Sequence, residues 1–94
     1  MKYPIHWVVD SSKNGHFYEV INNRDKKVLK AFGNHLRSLR REKGLSQEAL
    51  TDEAGLSKNL IGMIERGEVN PTLISIEALA KGLGISKRKL MDYE

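Results

Sequence analysis

Residues 44–67 read GLSQEALTDEAGLSKNLIGMIERG, and this stretch contains the same three-residue pattern twice. Gly44-Leu45-Ser46 and Gly55-Leu56-Ser57 each place a glycine, an apolar residue and a serine in a row, and Gly84-Ile85-Ser86 repeats the pattern. Gly takes the left-handed conformation that ends a helix, and Ser accepts hydrogen bonds from the free N–H groups at the next helix start. The pattern therefore predicts three places where one helix stops and another begins.

The residues that follow the three serines support these helix starts. A hydrophobic staple joins the apolar residue before the cap to an apolar residue four positions after the cap. At those positions stand Leu50, Ile61 and Leu90, all of them apolar. We therefore expect Ser46, Ser57 and Ser86 to be N-caps.

Together with the apolar periodicity, these signals predict five helices and a mainly α fold class. Their expected bounds are 25–43, 47–54, 58–66, 73–83 and 87–92. Apolar residues at spacings of three and four indicate the buried stripe of the first helix, which consists of Val28, Leu29, Phe32, Leu36 and Leu39. Gly33 lies inside this helix and costs about 1 kcal/mol relative to Ala, so a break near Gly33 is one expectation.

The N-terminal part of the chain has a different composition. Segments 5–9 and 17–21 are rich in β-branched and aromatic residues, and Asn14-Gly15 lies between them. Asn-Gly favours a tight hairpin turn because both residues tolerate positive φ. We predict a β-hairpin extension at residues 1–24, followed by a helical domain at residues 25–94.

Two stretches of the helical domain resemble a known family. Residues 36–50 read LRSLRREKGLSQEAL and residues 61–73 read IGMIERGEVNPTL. These resemble the phage repressor and Cro-like helix-turn-helix group, which includes the bacterial Xre-type regulators, and the resemblance covers about residues 32–92. It implies a lambda-repressor-like DNA-binding domain of five helices, with 58–66 as the recognition helix. It also implies that Gln47 binds a DNA phosphate and that Arg40 and Glu65 form a structural ion pair.

The third predicted helix has two unlike faces. At about 100° per residue, its apolar residues fall on one side and its polar or small residues on the other, the second set being Lys58, Asn59, Gly62, Met63 and Arg66. An α-helix fits the major groove, where Asn pairs with adenine and Lys reaches guanine. We assign Lys58, Asn59 and Met63 to base reading and Gln47 and Arg66 to phosphate contacts, with Ser57 beside them. An ordinary solvent-exposed face is the alternative for these residues.

Composition and charge agree with a nucleic-acid partner. The chain has 94 residues and a net charge of +4. Residues 24–43 contain eight Lys or Arg and two acidic residues, a local charge of +6. A basic segment suits a polyphosphate partner, although a solvated helix face would also explain it. The chain has no cysteine and no apolar run of membrane-spanning length, so we expect a cytoplasmic protein.

An enzyme and a protein-interaction module are the competing functions. The histidines are His6, His16 and His35, and without a carboxylate cluster they make a poor metal site. We expect no catalysis, no metal and no cofactor. The stronger alternative is an antitoxin-like module that binds a partner protein through the N-terminal hairpin, whose edges could pair with another strand. In preference to this alternative, we expect a homodimer that binds double-stranded DNA at two half-sites about one helical turn apart.

Overall fold

The computed structural model describes residues 23–93, and these form five helices joined by turns. The helices are α1 (Asn23–Glu42), α2 (Gln47–Ala54), α3 (Leu60–Glu65), α4 (Leu73–Leu83) and α5 (Lys87–Leu90). The mainly helical prediction is therefore confirmed for this part of the chain. The predicted hairpin, with its suggested role in binding a partner protein, lies outside the described residues.

Two of the three predicted serine caps are confirmed. The Ser46 hydroxyl accepts a hydrogen bond from the Ala49 N–H at 2.9 Å, and the Ser86 hydroxyl accepts one from the Lys89 N–H at 3.1 Å. The glycines that precede them, Gly44 and Gly84, have φ near +70°, as a helix-ending glycine requires. Local sequence therefore sets the starts of α2 and α5.

The predicted cap at Ser57 is wrong. The residue before α3 is Asn59, which has a φ of 73° and makes no side-chain capping hydrogen bond. The Leu60 N–H instead donates to the Ser57 carbonyl at 3.2 Å, so residues 57–60 form a turn. The third helix consequently begins two residues later than the predicted 58–66, and it ends at Glu65.

The core lies between the helices and is built mainly of aliphatic side chains. Its buried members are Phe32, Leu36, Leu39, Leu50, Ile61, Ile64, Leu79, Ala80, Leu83 and Leu90. The prediction for the stripe of α1 is wrong at Val28, which is 47% exposed. Leu29 is only partly buried, so the buried part of α1 begins at Phe32. The ring of Tyr93 closes this end by an edge-on contact with Phe32.

Gly33 lies at the closest approach of α1 and α3. A Cβ atom at this position would lie 2.4 Å from the Ile64 carbonyl oxygen and 2.6 Å from that of Glu65. The expected break in the helix is absent, since α1 runs continuously from Asn23 to Glu42. The missing side chain lets the backbone of α3 pack directly against α1, which fixes the position of α3.

Candidate nucleic-acid interface

Helices α2 and α3 pack against each other and enclose a surface cleft. Its lining comes from α2, from the turn before α3 and from the first part of α3, and comprises Gln47, Glu48, Thr51, Asp52, Leu56, Lys58, Asn59 and Gly62. Thr51 stands where the resembled family commonly has a smaller residue, and its hydroxyl donates to the Gln47 carbonyl of its own helix at 2.8 Å. The extra polar group is thus satisfied within α2.

The turn before α3 carries three of the predicted DNA contacts, Ser57, Lys58 and Asn59, and all three are exposed. The left-handed conformation of residue 59 costs most residues with a side chain about 1–2 kcal/mol, and Asn is one of the few that tolerate it. Because Asn59 does not use its side chain as a cap, this amide is not committed to the helix start. The turn thus presents one cation and one amide at the mouth of the cleft.

The remaining predicted DNA contacts on α3, Gly62 and Met63, differ in burial. Met63 is half-buried and Gly62 is buried. A Cβ atom on Gly62 would lie 3.2 Å from Arg66 Nη1 and 3.2 Å from Gln47 Oε1. Gly62 therefore lies beneath the ends of two longer side chains, and these, rather than Gly62 itself, form the outer surface at this point.

Glu65 accepts hydrogen bonds from three side chains at the base of the site. Arg40 donates from Nε at 2.7 Å and from Nη2 at 3.0 Å, the Gln47 amide donates at 2.9 Å, and Arg37 donates at 3.4 Å. Arg40 also donates from Nη1 to the Leu45 carbonyl at 2.8 Å. The residues predicted as a structural ion pair thus lie in direct contact, and both are buried.

The charge state of Glu65 follows from this environment. Burial alone would raise the pKa of the Glu65 carboxyl, but hydrogen bonds from Arg40 and Gln47, with the charge of Arg40, outweigh burial and lower it. Sequence reasoning did not include Gln47 or Arg37 in this network. The position of Arg37, three residues before Arg40 and on the same side of α1, was the available signal.

Arg66, directly after α3, has an acidic partner. Its Nε lies 2.7 Å from Glu68 Oε2, and its Nη2 donates to Glu68 Oε1 at 3.2 Å. The hydrogen bond with Arg66 lowers the pKa of the Glu68 carboxyl. Gly67, with a φ of 73°, turns the chain between the two residues and packs against Lys30 of α1. The basic N-terminal half of α1, with Lys26, Lys27 and Lys30 along one shallow groove, therefore comes close to the end of α3.

Residues 23–93 contain no group of three His, Cys, Asp or Glu side chains placed to hold a metal ion. His35 bonds through Nε2 to the Lys89 carbonyl at 3.0 Å, a contact that joins α1 to α5. None of the helices within this range combines the length and the hydrophobicity that a membrane-spanning segment needs.

Comparison with known proteins places this arrangement in a family. The helix-turn-helix family HTH_3 matches residues 36–90. The uncharacterized HTH-type transcriptional regulator y4dJ of Sinorhizobium fredii is 42% identical over 64 residues, which are 68% of this chain and 83% of that protein. The immunity repressor protein of Bacillus phage phi105 is 36% identical over 62 residues, 66% of this chain and 43% of the repressor.

A solved structure shows the same fold. The restriction-modification controller protein C.AhdI from Aeromonas hydrophila superposes with a TM-score of 0.64 at 47% sequence identity, over 66% of this chain and 94% of that one. The family match covers more than half of the chain and includes α2, the turn and α3. The chain therefore belongs to the helix-turn-helix family of Xre, Cro and C1-type transcriptional regulators.

Proposed function

We propose that this protein binds double-stranded DNA at a specific sequence and represses transcription as a homodimer. The observation that carries the proposal is the exposed cleft between α2 and α3, whose mouth presents Lys58 and Asn59. Amide and ammonium groups on a projecting turn and helix match the hydrogen-bonding edges of bases in the major groove. Its relatives include an immunity repressor and a restriction-modification controller protein.

Phosphate contacts would come from the rim of the cleft. The first N–H groups of α2 have no partner within the helix, and a helix N-terminus favours an anion. The Gln47 amide donates to Glu65 at 2.9 Å, which holds this side chain against α3, so the backbone N–H groups are the proposed phosphate donors. Arg66 lies next to Gln47 above Gly62 and supplies the cation.

Base contacts would come from the turn and from the exposed part of α3. Ser57, Lys58 and Asn59 precede the helix, and Met63 follows one turn later. Gly62 leaves space for the side chains of Gln47 and Arg66, because a side chain at position 62 would contact both. One such unit contacts few bases, so specificity requires two, about one helical turn apart on the DNA.

The decisive experiment is in vitro selection of DNA by the full chain, followed by sedimentation of the complex. We expect a pseudo-palindromic consensus and two protomers per duplex. Binding to all duplexes alike would contradict sequence-specific recognition, whereas a tight, saturable complex of one protomer per duplex would contradict the dimer alone.

Two variants distinguish base recognition from phosphate contact. Asn59→Gly removes the amide but keeps a residue that accepts the φ of 73°, so base preference should relax at one position per half-site by about 1–3 kcal/mol. Arg66→Ala should weaken binding to all sequences alike and flatten the salt dependence. Lys81→Ala, at an exposed position in the last turn of α4, is the control. An unchanged consensus with both Asn59→Gly and Met63→Ala would show that this turn and α3 are not the reader.

A further inference from the structure

The ion pair between Arg66 and Glu68 occupies a position where a DNA contact is proposed. Its two hydrogen bonds use Nε and Nη2 of the guanidinium, at 2.7 and 3.2 Å. The side chains of Arg66 and Glu68 remain 54% and 49% exposed. An exposed pair of this kind contributes little to the stability of a fold, so its effect on the surface charge is the more consequential one.

The location of Arg66 gives the pair its significance. Arg66 Nη1 and Gln47 Oε1 both lie 3.2 Å from the point where a Cβ on Gly62 would stand. The guanidinium therefore lies near the end of the Gln47 side chain. Gln47 is the first residue of α2, and the free N–H groups at that helix start favour an anion. A guanidinium binds carboxylate and phosphate in the same bidentate manner. A phosphate at this point would therefore compete with Glu68 for the Nε–H and Nη2–H donors of Arg66.

We propose that Glu68 is an intramolecular competitor of the DNA backbone for Arg66. The proposal rests on the DNA-binding function argued above and concerns the same surface. In the free protein the Glu68 carboxylate neutralises Arg66, and a phosphate that binds there must displace the carboxylate. Glu68 thereby lowers affinity for DNA of every sequence and leaves the preferred sequence unchanged, because phosphate contacts carry no sequence information.

The test is Glu68→Gln, measured on the selected duplex and on an unrelated duplex over a range of salt concentrations. Affinity for both duplexes should rise by the same factor, about two- to fivefold per protomer, as expected from displacing an exposed ion pair. The dependence of log K on log salt should stay close to that of wild type, because Arg66 contacts the same phosphate in both complexes once Glu68 has been displaced.

A double-mutant cycle with Arg66→Gln identifies the mechanism. In the Arg66→Gln background, Glu68→Gln should have little effect, because no guanidinium remains to be released. Glu48→Gln removes an exposed carboxylate that lines the cleft between α2 and α3, and its effect should be independent of residue 66. If the gain from Glu68→Gln persists without Arg66, Glu68 acts by direct repulsion of phosphates and the proposal is wrong.

The outcome for wild type distinguishes this inference from the proposed function. If wild type binds neither duplex at low salt, DNA binding itself is contradicted. If wild type binds its selected duplex and Glu68→Gln binds no more tightly, only the competitor role is overturned. A readout without DNA is the NMR signal of the Arg66 Nε–H group, which should shift in Glu68→Gln and stay unchanged in Glu48→Gln.

Discussion

The guanidinium of Arg40 and the carboxylate of Glu65 form a bidentate ion pair, with Nε–Oε2 at 2.7 Å and Nη2–Oε1 at 3.0 Å. The pair joins the last turn of α1 to the last residue of α3. A further Arg40 donor reaches the Leu45 carbonyl, and the Gln47 amide reaches Glu65. The ion pair therefore fixes α1, α3 and the start of α2 relative to one another, which positions the proposed DNA-binding surface.

Removing one member of this pair should be strongly destabilising. Arg40→Met or Glu65→Leu alone leaves the other charge buried without its partner, at a cost of about 3–5 kcal/mol in the free energy of unfolding. The double variant should lose much less, because no charge is then stranded. Urea unfolding of wild type, the two single variants and the double variant measures the coupling energy between the two residues. Additive losses of unfolding free energy in the double variant would contradict the coupling.

The same carboxylate should make stability depend on pH in the acid range. Because the folded state lowers the pKa of Glu65, its stabilising effect is complete above the unfolded-state value of about 4.3. It is lost as pH falls through the lower folded-state pKa. Between pH 6 and pH 3, wild type should lose more unfolding free energy than Glu65→Gln, as measured by urea unfolding at each pH. Glu68→Gln, which alters an exposed pair, is the control and should depart from the wild-type curve much less than Glu65→Gln does. Parallel pH curves for wild type and Glu65→Gln would contradict this role of Glu65.

Alanine substitution at two glycines inside helices should have opposite effects on the stability of the fold. At Gly33 the new Cβ would meet backbone atoms of α3 at 2.4 and 2.6 Å, so Gly33→Ala should destabilise by about 1–3 kcal/mol despite the better helix propensity of Ala. At Gly62 the Cβ would meet only the ends of two flexible side chains, so Gly62→Ala should be neutral or stabilise by up to about 1 kcal/mol. Thermal unfolding distinguishes the two, and a stabilised Gly33→Ala would refute the close packing.

Much of the helical fold was predictable because its signals are local. The Gly-apolar-Ser pattern at residues 44–46 and 84–86 places an αL glycine and a serine cap together, and neither depends on distant contacts. The identical pattern at residues 55–57 failed as a cap. There Leu60 is half-buried while Ile61 and Ile64 are buried, so packing of a six-residue helix, rather than the serine, determines where α3 begins.

The site was less predictable because its contacts depend on the backbone of turns. The pairing of Arg66 with Glu68 requires the left-handed Gly67 between them, whereas helical spacing rules consider only residues three or four apart. The bond from Gln47 to Glu65 requires α2 and α3 to be already packed. The contact of Arg40 with Glu65 was expected only through the resemblance to a family.

The left-handed backbone at Asn59 should restrict which residues the folded protein tolerates there. Its φ of 73° suits glycine, and its side chain makes no capping hydrogen bond. Asn59→Gly should therefore leave the free energy of unfolding nearly unchanged, whereas Asn59→Ala should lower it by about 1 kcal/mol. Urea unfolding measures both. Equal losses would indicate that the amide itself stabilises the turn.

Deletion of residues 1–22 should leave a cooperatively folding protein. The helix caps, the ion pair at Glu65 and the aliphatic core that runs from Phe32 to Leu90 all lie within residues 23–93. A shortened chain of residues 23–94 should therefore melt in a single transition by circular dichroism and select the same DNA consensus as the full chain. Sedimentation of both proteins would show whether the deleted segment also strengthens the proposed dimer. A gradual, non-cooperative melt of the shortened chain would show instead that residues such as Trp7 and Phe17 complete the core, and that the predicted boundary near residue 24 does not separate two independent units.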